Sequence, residues 1–243
     1  MAAVFLRHHT NPSGRRLLVF GRLPEPGRVK TRLTPRLTPA ASAVLYEAFL
    51  DDTMGLAPRD VPVELWVPER PGAVELLEAR YPAARVRLQP DGSLGDRLAT
   101  AFACAFREGV DRAVAIGSDH PTLPGDTVPR AFRALRAFDV VLGPTRDGGY
   151  YAIGLSRVAW PAAEGLFADA PWSQPALCDW TRGRAVELGL RRAELPDWYD
   201  VDRPEDLLLM EGDLCGDSAT ARAWVRVGLS GGTGSGGTEG GGP

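Results

Sequence analysis

The sequence predicts a single α/β domain, a three-layer α/β/α sandwich with a mostly parallel sheet. Short apolar β-type runs alternate with segments of helical spacing along most of the 243 residues. The run Val114-Ala115-Ile116-Gly117 is apolar throughout, as a strand covered on both faces must be. The clearest helical segment, 94–108, carries Leu94, Leu98, Ala101, Phe102, Ala105 and Phe106 on one stripe that would seat on a sheet. A β, α, β, α order implies parallel neighbours joined by right-handed crossovers, with helices on both faces.

The elements follow in order. Leu17-Leu18-Val19-Phe20 is a short strand stopped by Gly21. Helical spacing over 40–54 (Val44, Leu45, Ala48, Phe49) is introduced by Thr38-Pro39, an N-cap followed by proline at the first helical position. A strand is expected at 61–67, a short helix at 73–79 and a third strand at 86–89. The striped helix 94–108 ends at Gly109, where a left-handed residue commonly closes a helix. After the central strand come a helix near 126–137 and an apolar strand at 139–142. Asp147-Gly148-Gly149 is a turn signal, and the strand expected at 150–155 makes a hairpin one reading of this stretch. Helices near 174–188 and 204–210 complete the pattern.

Residues 15–229 are therefore expected to form the folded domain, with 1–14 a flexible leader and 230–243 a disordered Gly/Ser/Thr-rich tail that cannot bury a core. Net charge is −3 and charged residues make up 24 %, which gives no general attraction to nucleic acid or anionic membrane. No run approaches the roughly 20 apolar residues of a membrane span, and the leader lacks the order of a signal peptide. Three well-separated cysteines (Cys104, Cys178, Cys215) read as reduced thiols of a cytoplasmic protein.

Five stretches could carry chemistry. Asp119 stands just past the central apolar strand, where open α/β sheets bind ligands, and a carboxylate there suits a divalent cation held against phosphate. Capping a turn is its plainer use. Gly21-Arg22-Leu23-Pro24-Glu25-Pro26-Gly27-Arg28-Val29-Lys30-Thr31-Arg32-Leu33 follows the first strand, and concentrates Arg22, Arg28, Lys30 and Arg32 beside Gly27. That composition suits phosphate oxygens, or simply a solvated basic loop. Gln89-Pro90-Asp91-Gly92-Ser93-Leu94-Gly95-Asp96-Arg97 joins a strand to a helix N-terminus. Gln89 there can both donate to and accept from a nucleobase edge, while Ser93 could be an ordinary N-cap. Asp147, Gly148, Gly149 and Tyr150 could wall an acceptor site or only turn a hairpin. In Trp198-Tyr199-Asp200-Val201-Asp202-Arg203-Pro204, alternation puts Asp200 and Asp202 on one side if extended. Either could meet Asp119 through space or cap the following helix.

The order of these pieces resembles the nucleotide-diphospho-sugar transferase superfamily with the glycosyltransferase-A fold. Within it, the chain is similar to a bacterial branch described as radical-SAM/selenodomain-associated transferase 1. The resemblance rests on Pro26 to Leu33, Leu94-Gly95-Asp96-Arg97-Leu98, Ile116-Gly117-Ser118-Asp119, Gly143-Pro144 with Asp147 to Tyr151, Trp172-Ser173 and Asp200-Val201-Asp202, across roughly 17–209. It implies a transferase with a nucleotide-activated donor. Lys30, with Arg28 and Arg32, would contact phosphate, and Gln89 and Gly95 would read the base. Asp119 and Asp202, less directly Asp200, would hold Mg²⁺ or Mn²⁺. Asp147 to Tyr150 and Trp172 would border an acceptor. Ser93 and Gln174 depart from the branch's usual Asp and Thr. The implied partners are a nucleotide sugar or nucleoside triphosphate and a small-molecule acceptor, with homo-oligomers left open. Glycosyl transfer is the first expectation. Nucleotidyl transfer of the guanylyltransferase kind, and non-catalytic nucleotide binding, are the alternatives.

Overall fold

The computed structural model describes residues 13–228, so the leader before residue 13 and the tail at 230–243 lie outside it. Seven strands form one sheet: β1 (Arg15–Phe20), β2 (Val63–Val67), β3 (Ala84–Leu88), β4 (Arg112–Gly117), β5 (Val140–Pro144), β6 (Tyr150–Ser156) and β7 (Arg192–Glu194). Their order is β3-β2-β1-β4-β6-β5-β7. The β3-β2-β1-β4 half is wholly parallel, with Leu18 opposite Ala115 and Val19 opposite Ile116. β6 runs antiparallel to both of its neighbours, β4 and β5. The Asp147 turn thus makes the hairpin that composition left open, and it slots its second strand between β4 and β5.

Side-chain alternation along the strands builds two cores. Leu17, Val19 and Leu65 face a layer that contains Leu50, Leu77 and Phe132. These come from α1 (Pro39–Gly55), α2 (Ala73–Arg80) and α4 (Thr127–Ala134). Leu18, Trp66 and Ala115 face the other way, onto Phe102 and Phe106 of α3 (Leu94–Arg107). Burying a side chain such as Phe102 completely is worth roughly 1.5–3 kcal/mol over leaving it in water. α3 begins in a capping box: Asp96 N–H donates to Ser93 Oγ at 3.2 Å and Ser93 N–H to Asp96 Oδ2 at 2.8 Å. On the same face, the buried Arg16 pairs with Glu64, which is 1 % exposed, and with the more exposed Glu108 at 2.9 Å. Arg87 links the same two carboxylates.

The chain continues through α5 (Trp160–Ala163), α6 (Leu177–Glu187), α7 (Asp206–Asp213) and α8 (Ala219–Arg226). Sequence spacing did not announce α5, α8 or the three-residue edge strand β7. α8 packs on α1, and its first N–H groups, from Ala219 and Thr220, both donate to Asp52 of α1 at 2.8 Å. A third core between α1 and the C-terminal segment holds Phe49, Val201, Leu207 and Trp224. No helix among the described residues is long and apolar enough to cross a membrane.

Candidate active site

The parallel half of the sheet ends in a cleft of about 470 Å³ at the carboxyl edges of its strands. The loop after β1 forms one wall. Gly27 turns it at φ +75°, with nothing near where a Cβ would lie. Lys30 then adopts the left-handed conformation (φ 48°, ψ 38°), uncommon for a residue with a side chain. Such a backbone costs of order 1–3 kcal/mol and persists only where its surroundings fix it.

The surroundings are specific. The Lys30 side chain is only 3 % exposed, and Nζ forms ion pairs with Asp119 and, at 2.8 Å, with Asp202 Oδ1. Nζ also lies 5.5 Å from the centre of the Phe49 ring and 6.0 Å from that of Tyr46. Burial works to lower the Lys30 pKa, but attraction to the two carboxylates and hydrogen bonds to both outweigh it, so the ammonium is held above its ordinary value. Burial likewise works to raise Asp119, and the Lys30 charge and hydrogen bond overcome it, leaving the carboxylate below its usual range.

Asp119 sits two residues past β4, and its backbone carbonyl accepts from Val201 N–H at 2.9 Å. That bond brings the segment before α7 against the central strand. Asp206 Oδ2 accepts from the N–H groups of Asp202 and Arg203 at 2.9 and 2.7 Å, and neither Asp200 nor Asp202 caps α7, whose N-cap residue is Glu205 and makes no side-chain cap bond. The Asp202 carboxylate is thereby free to reach Lys30. Asp200 takes another course: its Oδ1 lies 2.7 Å from His120 Nε2, and His120 is buried. The structure therefore brings Asp202, and not Asp200, together with Asp119.

Asp119 and Asp202 remain 43 % and 39 % exposed on the cleft. No group of three His, Cys, Asp or Glu able to hold a metal occurs among the described residues. Two carboxylates nonetheless fit Mg²⁺ or Mn²⁺, since a small hard cation commonly takes one or two carboxylates and completes its shell with phosphate oxygens and water. Asp119 and Asp202 would hold such a cation, in competition with the Lys30 ammonium they now share.

Arg22 and Arg32 line the cleft beside Lys30. Arg28 lines it too, while its guanidinium lies 3.8 Å from Glu25 and is largely in solvent. Tyr46 fixes the start of the loop: its hydroxyl accepts from Arg22 N–H at 2.9 Å and lies 2.7 Å from Ser118 Oγ. Burial, then the Asp119 charge, pushes the Tyr46 hydroxyl up to about 12, so it stays neutral across the physiological range. Sequence reading missed Tyr46, Ser118 and His120. Tyr46 looks like one more apolar position of α1, and only Ser118 and His120, which flank Asp119, gave any signal.

At the far end, Gln89 Nε2 donates to the Trp66 carbonyl at 2.8 Å, and Gln89 Oε1 accepts from Arg97 at 3.2 Å. Gly95 does not face the cleft. It is buried, and a Cβ there would stand 2.6 Å from Trp172 Nε1 and 2.8 Å from the Phe167 carbonyl. In place of the expected contact with a base there is packing: the second residue of α3 is glycine, which lets Trp172 lie on the helix. Trp172 in turn stacks on Phe167 and meets Tyr150 edge-on.

The residues expected on the acceptor side are likewise committed to structure. Asp147 Oδ1 accepts from Thr145 Oγ1 at 2.5 Å and Gly149 N–H at 3.0 Å, closing the β5–β6 turn. A Cβ on Gly148 would lie 1.9 Å from the Pro175 carbonyl. Gly148, Gly149, Tyr150 and Trp172 are half-buried around the turn that the exposed Asp147 closes, and none of the five lines the cleft itself.

Comparison with known proteins places this geometry. A family model described as "Uncharacterized protein conserved in bacteria (DUF2064)" matches residues 55–174. No curated protein matches the chain by sequence. Among solved structures, a candidate nucleotide-diphospho-sugar transferase from Desulfovibrio desulfuricans G20 is similar at 30 % identity and TM-score 0.81, over 88 % of this chain and 95 % of that one. The 4-diphosphocytidyl-2C-methyl-D-erythritol synthase of Anaerococcus prevotii DSM 20548 shares the fold at 9 % identity and TM-score 0.54, over 82 % and 96 %. Rv0371c of Mycobacterium tuberculosis H37Rv shares it at 18 % identity and TM-score 0.51, over 81 % and 96 %.

Proposed function

The chain belongs to the nucleotide-diphospho-sugar transferase family, and from that premise we propose that it transfers a glycosyl group from a nucleotide sugar held in the cleft above β1 to β4. The observation that carries the reading is the shared ammonium: Lys30 lies between Asp119 and Asp202, at the mouth of a cleft also lined by Arg22 and Arg32. Carboxylates that only served packing would be covered, whereas these, though paired with Lys30 and, for Asp202, with Arg32 at 3.8 Å, are two-fifths exposed on the cleft.

Phosphate oxygens entering this end meet Lys30, Arg22 and Arg32, all donors that keep their charge throughout. Lys30 is already oriented by Phe49, Tyr46 and its two carboxylates, so little reorganisation is needed as negative charge grows on the departing diphosphate. A divalent cation on Asp119 and Asp202, when bound, would supply further charge stabilisation to those phosphates. Tyr46 and Ser118 hold the loop and the end of β4 in register, and the Asp147 turn with Trp172 limits where an acceptor could approach.

A thermal-shift panel of nucleotide sugars and nucleoside triphosphates, with and without Mn²⁺, tests this. Stabilisation by a nucleotide sugar that needs Mn²⁺ and disappears in Asp119→Ala is the expected result. Stabilisation by a triphosphate alone, with release of pyrophosphate, would replace glycosyl with nucleotidyl transfer. Binding that ignores both metal and Asp119→Ala would remove the enzymatic reading.

A further inference from the structure

Arg97 stands at the opposite end of the cleft from Lys30, and nothing assigned so far uses it. It projects from the first turns of α3 and lines the cleft. One Nη donates to Gln89 Oε1 at 3.2 Å. Nε is buried with no acceptor, and the guanidinium makes no ion pair among the described residues. A guanidinium half-withdrawn from water without a carboxylate is unusual, because one neutral acceptor, Gln89, replaces little of the solvent its donors lose. Its orientation is nevertheless fixed. Gln89 is pinned through Nε2 to the Trp66 carbonyl, which leaves its amide oxygen facing Arg97.

The placement matters as much as the pairing. Gln89 lies just past β3 and Asp119 just past β4, with β2 and β1 between them. Three strand spacings of about 4.8 Å separate the two ends by about 14 Å. A nucleoside diphosphate stretches over a comparable distance from its base to its phosphates. Phe20, Pro68 and Leu94 line the same end and offer apolar surface to a ring.

Resting on the nucleotide reading of this cleft, we infer that Arg97, held by Gln89, selects a nucleobase that presents two adjacent acceptors. A guanidinium has donors only and offers them as a parallel pair. Guanine meets that pair with O6 and N7, and cytosine with O2 and N3. Adenine sets its amino group beside N1 and N7, and uracil sets N3–H between its two carbonyls, so each turns a donor toward Arg97.

The test is calorimetric binding of GDP, CDP, ADP and UDP, each with Mg²⁺, to the full chain and to Arg97→Met and Arg97→Lys. Folding of both variants is checked by circular dichroism and melting temperature. The full chain should bind GDP or CDP at least about tenfold more tightly than ADP and UDP, the discrimination expected of one bidentate contact. The stronger of GDP and CDP identifies the base. Both variants should bring the four ligands to within about threefold of one another, because lysine keeps the charge but not the fork. Tightest binding of ADP or UDP by the full chain would overturn the inference. So would a preference that survives in Arg97→Lys, or an equal weakening of all four ligands in Arg97→Met, the mark of a phosphate contact. Equal binding of all four by the full chain would defeat this inference alone, whereas no binding of any of them would defeat the nucleotide reading with it.

Discussion

Val201 N–H donates to the Asp119 carbonyl at 2.9 Å, joining the last third of the chain to the end of the central strand. One residue further, Asp202 reaches Lys30, which pairs with the Asp119 side chain as well. The candidate site is therefore closed by a backbone bond on one side and by a shared cation on the other.

Removing that cation should be visible in stability. In Lys30→Met, Asp119 and Asp202 lose the cation they share, and the exposed Arg32, 3.8 Å from Asp202, is left as the nearest ion-pair partner. Because both carboxylates are about two-fifths exposed, the cost should be about 1–2 kcal/mol, below the ~3–5 kcal/mol of a fully buried broken pair. The left-handed backbone strain is the same for either side chain and cancels. Millimolar Mg²⁺ should raise the melting temperature of the variant more than that of the wild type, since it can occupy the vacated position. Melts that respond equally to Mg²⁺ would count against the two carboxylates as a cation site.

Tyr46→Phe deletes the hydroxyl shared by Arg22 N–H and Ser118. A buried donor left without its acceptor costs about 1–3 kcal/mol. Urea denaturation should therefore show a loss in that range, and nucleoside diphosphate affinity should fall because the basic loop loses its anchor. Unchanged stability would mean that the loop is held elsewhere.

The two glycines of the hairpin should differ. Gly148 has φ +90°, and a Cβ there would collide with the Pro175 carbonyl at 1.9 Å. At Gly149 the nearest atoms are Thr145 Oγ1 at 3.0 Å and Asp147 Oδ1 at 3.3 Å. Gly148→Ala should cost more than about 2 kcal/mol, by strain and displacement of the Trp172 segment, and Gly149→Ala under about 1 kcal/mol. Equal costs in denaturant titrations would contradict the packing described for Pro175.

Glu108 gives a pH dependence. Burial tends to raise its pKa, but the hydrogen bonds from Arg16 and Arg87 and their charges prevail, leaving it below the ordinary value. Its folded-state pKa thus lies beneath the unfolded one, about 4.3. Its stabilisation is complete above that value and is lost as pH falls through the lower, folded value. The stability difference between wild type and Glu108→Gln should be constant near neutrality and shrink below about pH 4. A difference that persisted unchanged into acid would show that the charge on Glu108 is immaterial.

Much of the fold was legible because its signals are local. The stripe of α3 and its Ser93–Asp96 cap lie within fifteen residues of each other. The position of β6 was not legible, because strand order is settled by pairing between distant segments. α8 escaped for a related reason: it is eight residues long and takes part of its capping from Asp52, 167 positions earlier. At the site, Lys30, Asp119 and Asp202 could be named from spacing and resemblance, but the separation of Asp202 from Asp200 depends on His120, which no pattern linked to either. Gly95 shows the opposite error. A small residue beside an expected ligand reads as room for that ligand, yet here the room is taken by Trp172.

The docking of the C-terminal segment on α1 has a consequence for synthesis. Asp202 is held by Asp206 and Val201, and the segment behind it is secured by Trp224 against the α1 core and by Asp52 at the start of α8. A chain still emerging from a ribosome can complete its sheet and its basic loop, yet it has no second carboxylate for Lys30. The site becomes whole only after nearly all of the described chain is made, so a stop codon between β7 and Asp202 should leave a sheet whose Lys30 has Asp119 alone, and one between α7 and α8 should leave Asp202 without the α8 packing behind it.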